Sequence, residues 1–187
     1  MKTLNDLFDL IKQSTMTLVG YTFENERIKD ELISNFNYIE IDEIDSSFSF
    51  KSFLRDLKLK SILENTSVKN PEYLVLDLNN IRLKSDDLGD RQRQIGALVQ
   101  HLGAQLYTDV SEFPGKPQFK IILTTSLYRS GVNSLGNDIQ NFRGGGGPLY
   151  ASDLAFTISN DKIKVIKNRF GYDGDEILYN TKQIVEF

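Results

Sequence analysis

Gly144-Gly145-Gly146-Gly147-Pro148-Leu149-Tyr150-Ala151-Ser152-Asp153, running into Leu154-Ala155-Phe156-Thr157-Ile158, is the stretch on which the fold turns. Four consecutive glycines free the backbone to take any φ and ψ, and a buried-type strand follows them. A short turn then precedes Ile163-Lys164-Val165-Ile166-Lys167-Asn168-Arg169-Phe170-Gly171, a second strand that delivers a Lys-Asn-Arg tip. Two strands separated by so short a turn form an antiparallel pair at the end of a sheet.

Upstream, strands alternate with helices. Leu4, Leu7, Phe8 and Ile11 recur at helical spacing, and Thr17-Leu18-Val19 reads as a brief buried strand ending at Gly20. From Glu24, the residues Ile28, Leu32, Ile33 and Phe36 mark one face of a helix. Tyr38-Ile39-Glu40-Ile41 is a second strand, and Phe50, Phe53, Leu54, Leu57 and Leu63 line a further helix. Pro71 stops what precedes it, and Tyr73-Leu74-Val75-Leu76-Asp77 is a strong buried strand. Ile95, Leu98, Val99, Leu102 and Leu106 give a long helix, and Lys120-Ile121-Ile122-Leu123-Thr124 a fourth strand. The segment from Ser126 to Gly147 is polar and aperiodic, a length that suits a functional loop. The tail from Ile177 adds one more strand. This order predicts a single α/β domain whose central sheet is mostly parallel, with helices on both faces and an antiparallel C-terminal edge. The strands holding Leu18, Ile39, Leu76 and Ile122 are expected inside it.

The glycine segment, the strand after it and the Lys-Asn-Arg tip resemble the C-terminal half of the RecA-like ATPase core of strand-exchange recombinases, phage recombinases and replicative helicases. The resemblance covers roughly residues 73–171; residues 15–50 match in element order. It implies a RecA-like P-loop NTPase fold over the whole of 1–187. Residues 1–14 then form an N-terminal helix, 15–171 the core and 172–187 a C-terminal tail. It also implies roles. Asp77 takes the place of the aspartate that orients the Mg²⁺ water shell, and Glu43, after the second strand, that of the glutamate that polarises water. Ser126 stands where a longer glutamine senses γ-phosphate. Tyr128, Arg129, Phe142, Arg143, Gly144 and Gly145 fall in the nucleic-acid-binding loop, where arginines meet phosphates and aromatic rings stack on bases. Lys167 and Arg169 match the tip that reaches a neighbouring subunit's nucleotide.

The phosphate loop itself is degenerate. Such a loop needs Gly-x-x-x-x-Gly-Lys-Ser/Thr between strand and helix, so that backbone N–H groups wrap phosphates, the lysine balances their charge and the hydroxyl holds Mg²⁺. Counting from Gly20 puts Asn25 at the second glycine, Glu26 at the lysine and Arg27 at the hydroxyl residue. A carboxylate there repels phosphate. The plainer reading is an ordinary strand-to-helix turn, with Glu24 and Glu26 favoured by the helix N-terminus. Plain readings stand beside the other assignments too. Glu40, Asp42, Glu43 and Asp45 form a solvated acidic loop, and Lys162, Lys164, Lys167 and Arg169 form a basic edge strand that discourages aggregation.

Composition narrows the classes. The chain has 187 residues and 22 basic against 26 acidic side chains, a net charge of −4, so any nucleic-acid contact needs a local patch. With no cysteine, disulfides and thiolate metal sites are excluded. His101 is the lone histidine and lies off its helix's apolar face, so no Ser/His/Asp set can be assembled. No secretory pattern or bilayer-spanning apolar run is visible, which makes a cytoplasmic protein without membrane contact the expectation, in the host cytoplasm if the gene is a phage's.

Three functions remain. One is a RecA-like subunit without a competent ATP site, working in DNA replication, recombination or repair. It would assemble with itself or a RecA-like partner ATPase, touch single-stranded DNA and need no cofactor or metal. The second is a divergent active ATPase or strand-exchange protein using ATP and Mg²⁺. The third is a structural or interaction protein on the same fold.

Overall fold

The structure is a computed structural model and describes residues 4–41, 72–81, 88–112, 120–127, 142, 146–159, 162–171 and 178–180. In chain order the elements are α1 (Leu4–Gln13), β1 (Met16–Tyr21), a 3₁₀ turn (Phe23–Asn25), α2 (Glu26–Ile33), β2 (Tyr38–Ile41) and β3 (Tyr73–Asp77). A second 3₁₀ turn (Leu78–Asn80) leads towards α3 (Leu88–Glu112), followed by β4 (Lys120–Ser126), α4 (Gly146–Ala151), β5 (Leu154–Ser159), β6 (Lys162–Asn168) and β7 (Leu178–Asn180). The predicted helix around Phe50–Leu63 lies outside the described residues.

The strands make one sheet in the order β2-β3-β4-β1-β5-β6-β7. The first five are parallel, and β6 and β7 run antiparallel at the end. The α/β class and the antiparallel edge are therefore as expected. The place of Ile39 is not: β2 is the terminal strand among the described residues, and Ile39 is only half-buried.

β1 sits at the centre because all six of its residues are apolar or small enough to be buried from both sides. Within its run the two-residue period divides the core. Val19 and Tyr21 face Leu4, Leu7 and Ile11 of α1 and Leu32 and Ile33 of α2. Leu18 faces the other way, with Leu76 and Leu123, towards Ile95, Val99 and Leu102 of α3 and Leu149 of α4. Phe36, expected on α2, follows it instead and wedges between Phe8 and Tyr73, with ring centroids 5.7 and 4.8 Å away.

The chain steps from β1 to β2 in one direction along the sheet and from β3 to β4, then to β5, in the other. A uniform hand of crossover requires opposite steps to use opposite faces. That is why α2 covers one face and α3 and α4 the other. The carboxyl ends of β1 and β4, neighbours whose chains leave to opposite faces, therefore flank the crevice where open α/β sheets hold ligands.

The glycine run departs from expectation. Gly146 and Gly147 are not loop but the first turn of α4, although glycine is a poor helix former. Tertiary packing overrides propensity here. A Cβ on Gly147 would lie 2.5 Å from the Gly96 Cα of α3, so the two helices meet backbone to backbone.

Candidate functional site

At the carboxyl end of β1 the chain does not open into a phosphate loop. Gly20 lies inside the strand, paired with Thr125 and Thr157, and the strand runs on to Tyr21. A Cβ on Gly20 would come within 2.6 Å of Phe142 Cε1 and 2.8 Å of Leu127 Cδ2. Gly20 thus makes room for a ring. Leu127 and Phe142 form an isolated antiparallel bridge, and Phe142 is fully buried. The ring expected in the nucleic-acid-binding loop is thus packed in the core against Gly20.

The turn after β1 is held by its own groups. The Thr22 N–H donates to Ile158 O at 3.1 Å, and the Asn25 N–H donates to Thr22 O at 2.8 Å. Asn25 is buried, and its Nδ2 donates to Thr22 Oγ1 at 2.7 Å. Glu26 is exposed on the first turn of α2, and exposed Arg27 donates to Glu31 one turn on at 2.8 Å. Of the degenerate positions, one builds the turn and two face solvent. The geometry is that of the ordinary strand-to-helix turn.

Asp77 closes β3, and its carboxylate caps the following turn. Oδ1 accepts from the Asn79 N–H at 2.9 Å and from Asn79 Nδ2 at 2.7 Å, and Asn80 Nδ2 approaches Oδ2 at 3.4 Å. Asn79 is the hub that sequence reading passed over. Its Nδ2 also reaches Tyr21 Oη at 3.2 Å, while its Oδ1 accepts from Ser126 N at 3.2 Å and Ser126 Oγ at 2.8 Å. One amide therefore joins the carboxyl ends of β1, β3 and β4.

Lys29 was also missed, although its spacing from Leu32 and Ile33 puts it on the inner stripe of α2. It is buried, with Nζ 4.8 Å from the centre of the Tyr21 ring and 2.8 Å from Asp30 Oδ1. Burial pushes the Lys29 ammonium down, but the Asp30 hydrogen bond and the surrounding negative charges, Asp77 among them, leave it above its ordinary value. Burial, and then the Asp77 carboxylate, push the Tyr21 phenol up. The crevice therefore carries an internal cation beside Tyr21, supplied by α2, at a position the phosphate-loop count does not predict.

The Lys-Asn-Arg tip lies at the opposite, amino-terminal edge, because antiparallel β6 ends where β5 begins. A six-residue strand separates the two edges by roughly 20 Å. Lys167 Nζ donates to Leu149 O at 2.8 Å and Tyr150 O at 2.9 Å, the last carbonyls of α4, where a cation is favoured. Arg169 Nη1 donates to Asp153 Oδ1 at 2.8 Å, and its Nη2 approaches Tyr150 O at 3.5 Å. Asp153, another residue the sequence reading did not single out, is buried. Its Oδ2 accepts from Thr15 N at 3.0 Å and Met16 N at 3.3 Å. Burial, then the neighbouring Arg169 charge, hold the Lys167 ammonium below its ordinary value. The two cations converge on Tyr150 O, and their hydrogen bonds go to partners within their own chain.

Glu43, Tyr128, Arg129, Arg143, Gly144 and Gly145 lie outside the described residues. Among the described residues no three His, Asp or Glu side chains are grouped to hold a metal ion, and no helix is long and apolar enough to cross a membrane. No family model matches this chain, and no curated protein matches it either.

Proposed function

We propose that this chain is a RecA-like domain without an ATP site of its own, acting as a binding or assembly subunit in DNA replication, recombination or repair. Lys167 and Arg169 are offered to the phosphates of a partner ATPase. The observation that carries this reading is the closed turn after β1, where Asn25 bonds Thr22, the Phe142 ring lies against Gly20 and Glu26 stands exposed at the lysine position. The sheet order is compatible with it: β4 lies between β1 and β3, so Asp77 ends the strand next but one to β1, joined to Tyr21 through Asn79.

Titration with a labelled ATP analogue, with and without single-stranded DNA, tests the reading. A ligand at a hundred times its Kd stabilises by about 2.7 kcal/mol, so Mg-ATP should leave the melting temperature unmoved. Single-stranded DNA should bind weakly, with marked salt dependence, and lose most of its affinity in the Arg129→Ala, Arg143→Ala double variant. A clear ATP-dependent rise in melting temperature, with turnover abolished by Asp77→Ala, would instead establish the active ATPase.

The interaction-protein reading has one observation of its own. Phe142 is buried and both tip cations are bonded within the chain, while Phe23, Tyr150 and Phe170 are exposed. Absence of DNA binding at low salt would decide for it.

A further inference from the structure

Two of the three acceptors around Arg169 and Lys167, Asp153 and Leu149 O, have further donors of their own. Asp153 divides its two oxygens: Oδ2 is held by the Thr15 and Met16 backbone N–H groups, and Oδ1 by Arg169. Removing the guanidinium therefore leaves the buried carboxylate with two donors, which keeps its desolvation compensated. Leu149 O, one acceptor of Lys167, also accepts from Ser152 Oγ at 2.9 Å. It too keeps a partner when the ammonium departs. Arg169 is the outward half of its pair, its side chain 53% exposed against 7% for Asp153. Both cations touch Tyr150 O, so they sit side by side and repel each other. An anion with several oxygens, bridging the two, relieves that repulsion.

We infer that Asp153 and the α4 C-terminal carbonyls latch the tip, holding Lys167 and Arg169 on their own subunit until a polyphosphate chain exchanges for Asp153 and takes both cations. The inference rests on the reading that this tip serves a neighbouring subunit's nucleotide, and it adds the regulation of that step. The rigid half of the latch is the buried carboxylate with its two backbone donors. The moving half is the exposed guanidinium with the ammonium beside it. Binding requires release first, so the affinity of the tip for phosphates is lowered by the strength of its internal contact.

Inorganic tripolyphosphate, titrated at low salt into the full chain, is the probe. The Arg169 side-chain N–H and the Thr15 and Met16 backbone N–H groups are followed by NMR. In the parent the Arg169 signal should move while the Thr15 and Met16 signals stay. Asp153→Asn keeps an oxygen for those two N–H groups and removes the charge that holds Arg169, so it should tighten binding about fivefold, the strong end for a half-exposed pair. The gain should vanish when Arg169→Ala is added. No gain in Asp153→Asn, or a gain that survives loss of Arg169, overturns the latch. If Asp153→Asn does not fold, the parent decides: an Arg169 signal that tripolyphosphate leaves unmoved, or a response of the Lys167 side chain that persists in Arg169→Ala, also overturns it. The proposed function is judged by other readouts, the Mg-ATP melting shift and the DNA titration, so the latch can fail while that reading stands.

Discussion

Gly20→Ala tests the closed crevice through a single methyl group. The added Cβ would stand 2.6 Å from Phe142 Cε1 and 2.8 Å from Leu127 Cδ2, well inside van der Waals contact. Phe142 is fully buried, and close-packed interiors leave a ring little room to move. Overpacking of this kind costs about 1–3 kcal/mol. Set against it, a Gly→Ala change at a backbone conformation alanine tolerates stabilises by about 0.4–1 kcal/mol through the unfolded chain. The clash wins, and a net loss of about 1–2 kcal/mol is expected. The decisive measurement is a double-mutant cycle with Phe142→Leu, which withdraws the ring edge from the strand. In that background only Leu127 Cδ2, the far end of a flexible side chain, still meets the methyl, so Gly20→Ala should cost clearly less, a coupling within the ~0.5–3 kcal/mol typical of touching side chains. Urea unfolding midpoints at constant slope give all four stabilities. If Gly20→Ala costs the same with and without the Phe142 ring, the ring does not cap Gly20, and the claim that the crevice is packed shut fails with it.

Three further outcomes follow from the same packing. Gly147→Ala should cost more than Gly20→Ala, at or above the upper end of about 1–3 kcal/mol, because its Cβ meets the Gly96 backbone at 2.5 Å and no side chain can yield; thermal unfolding of the two variants ranks them. Asp153→Ala should destabilise by about 2–4 kcal/mol by stranding the Thr15 and Met16 N–H groups, while Asp153→Asn, which keeps an acceptor oxygen, should cost clearly less in the same denaturation assay. Burial, aided by the Glu72 charge, pushes the Tyr73 phenol up to about 12 from an ordinary value of 10.0. The folded state therefore holds this proton longer than the unfolded one, so the stabilisation is complete below pH 10 and is lost as pH rises from there to about 12. Two units correspond to roughly 2–3 kcal/mol, and Tyr73→Phe should flatten that part of the pH–stability curve.

The strands were legible because continuous apolar runs such as Tyr73–Leu76 and Ile121–Leu123 have no other use in a chain of this composition, and their order gave the α/β class. Sheet position was not. Tyr38–Ile41 is short and broken by exposed Glu40, unlike the continuous apolar runs of inner parallel strands, yet its place at the end of the described sheet is fixed only by its pairing. Helix α4 was hidden for a related reason. Glycines argue against a helix until the opposing Gly96 backbone is known to need them. At the candidate site, counting along the chain suffices to find the strand-to-helix junction, where Asn25 falls in the turn after β1 and Glu26 and Arg27 open α2. What counting cannot supply is the partner of each side chain. Phe142 is 122 residues from Gly20, and Asn79 gathers Tyr21, Asp77 and Ser126 from three strands. A fainter signal was available: Asp77-Leu78-Asn79 after a strand is the pattern of an Asx turn, which assigns the carboxylate a capping duty before any metal is considered.

The two groups of charged residues stand at opposite edges of one sheet, and this limits what a single copy can do. Lys167 and Arg169 lie at the amino-terminal edge, while Asp77, Asn79 and Lys29 gather at the carboxyl-terminal one. Roughly 20 Å of strand separates them, far beyond the reach of a lysine or arginine side chain. No phosphate can touch both within one chain. If the tip cations act on a nucleotide, that nucleotide belongs to another molecule, and the contact joins unlike surfaces of the two, which is the head-to-tail kind of interface that builds rings or filaments when copies repeat. On the proposed reading, a chain whose turn after β1 is filled by Phe142 and Asn25 would end such a row or join a competent partner. The separation that calls for a second molecule comes from where β6 ends, at the edge opposite Asp77 and Asn79.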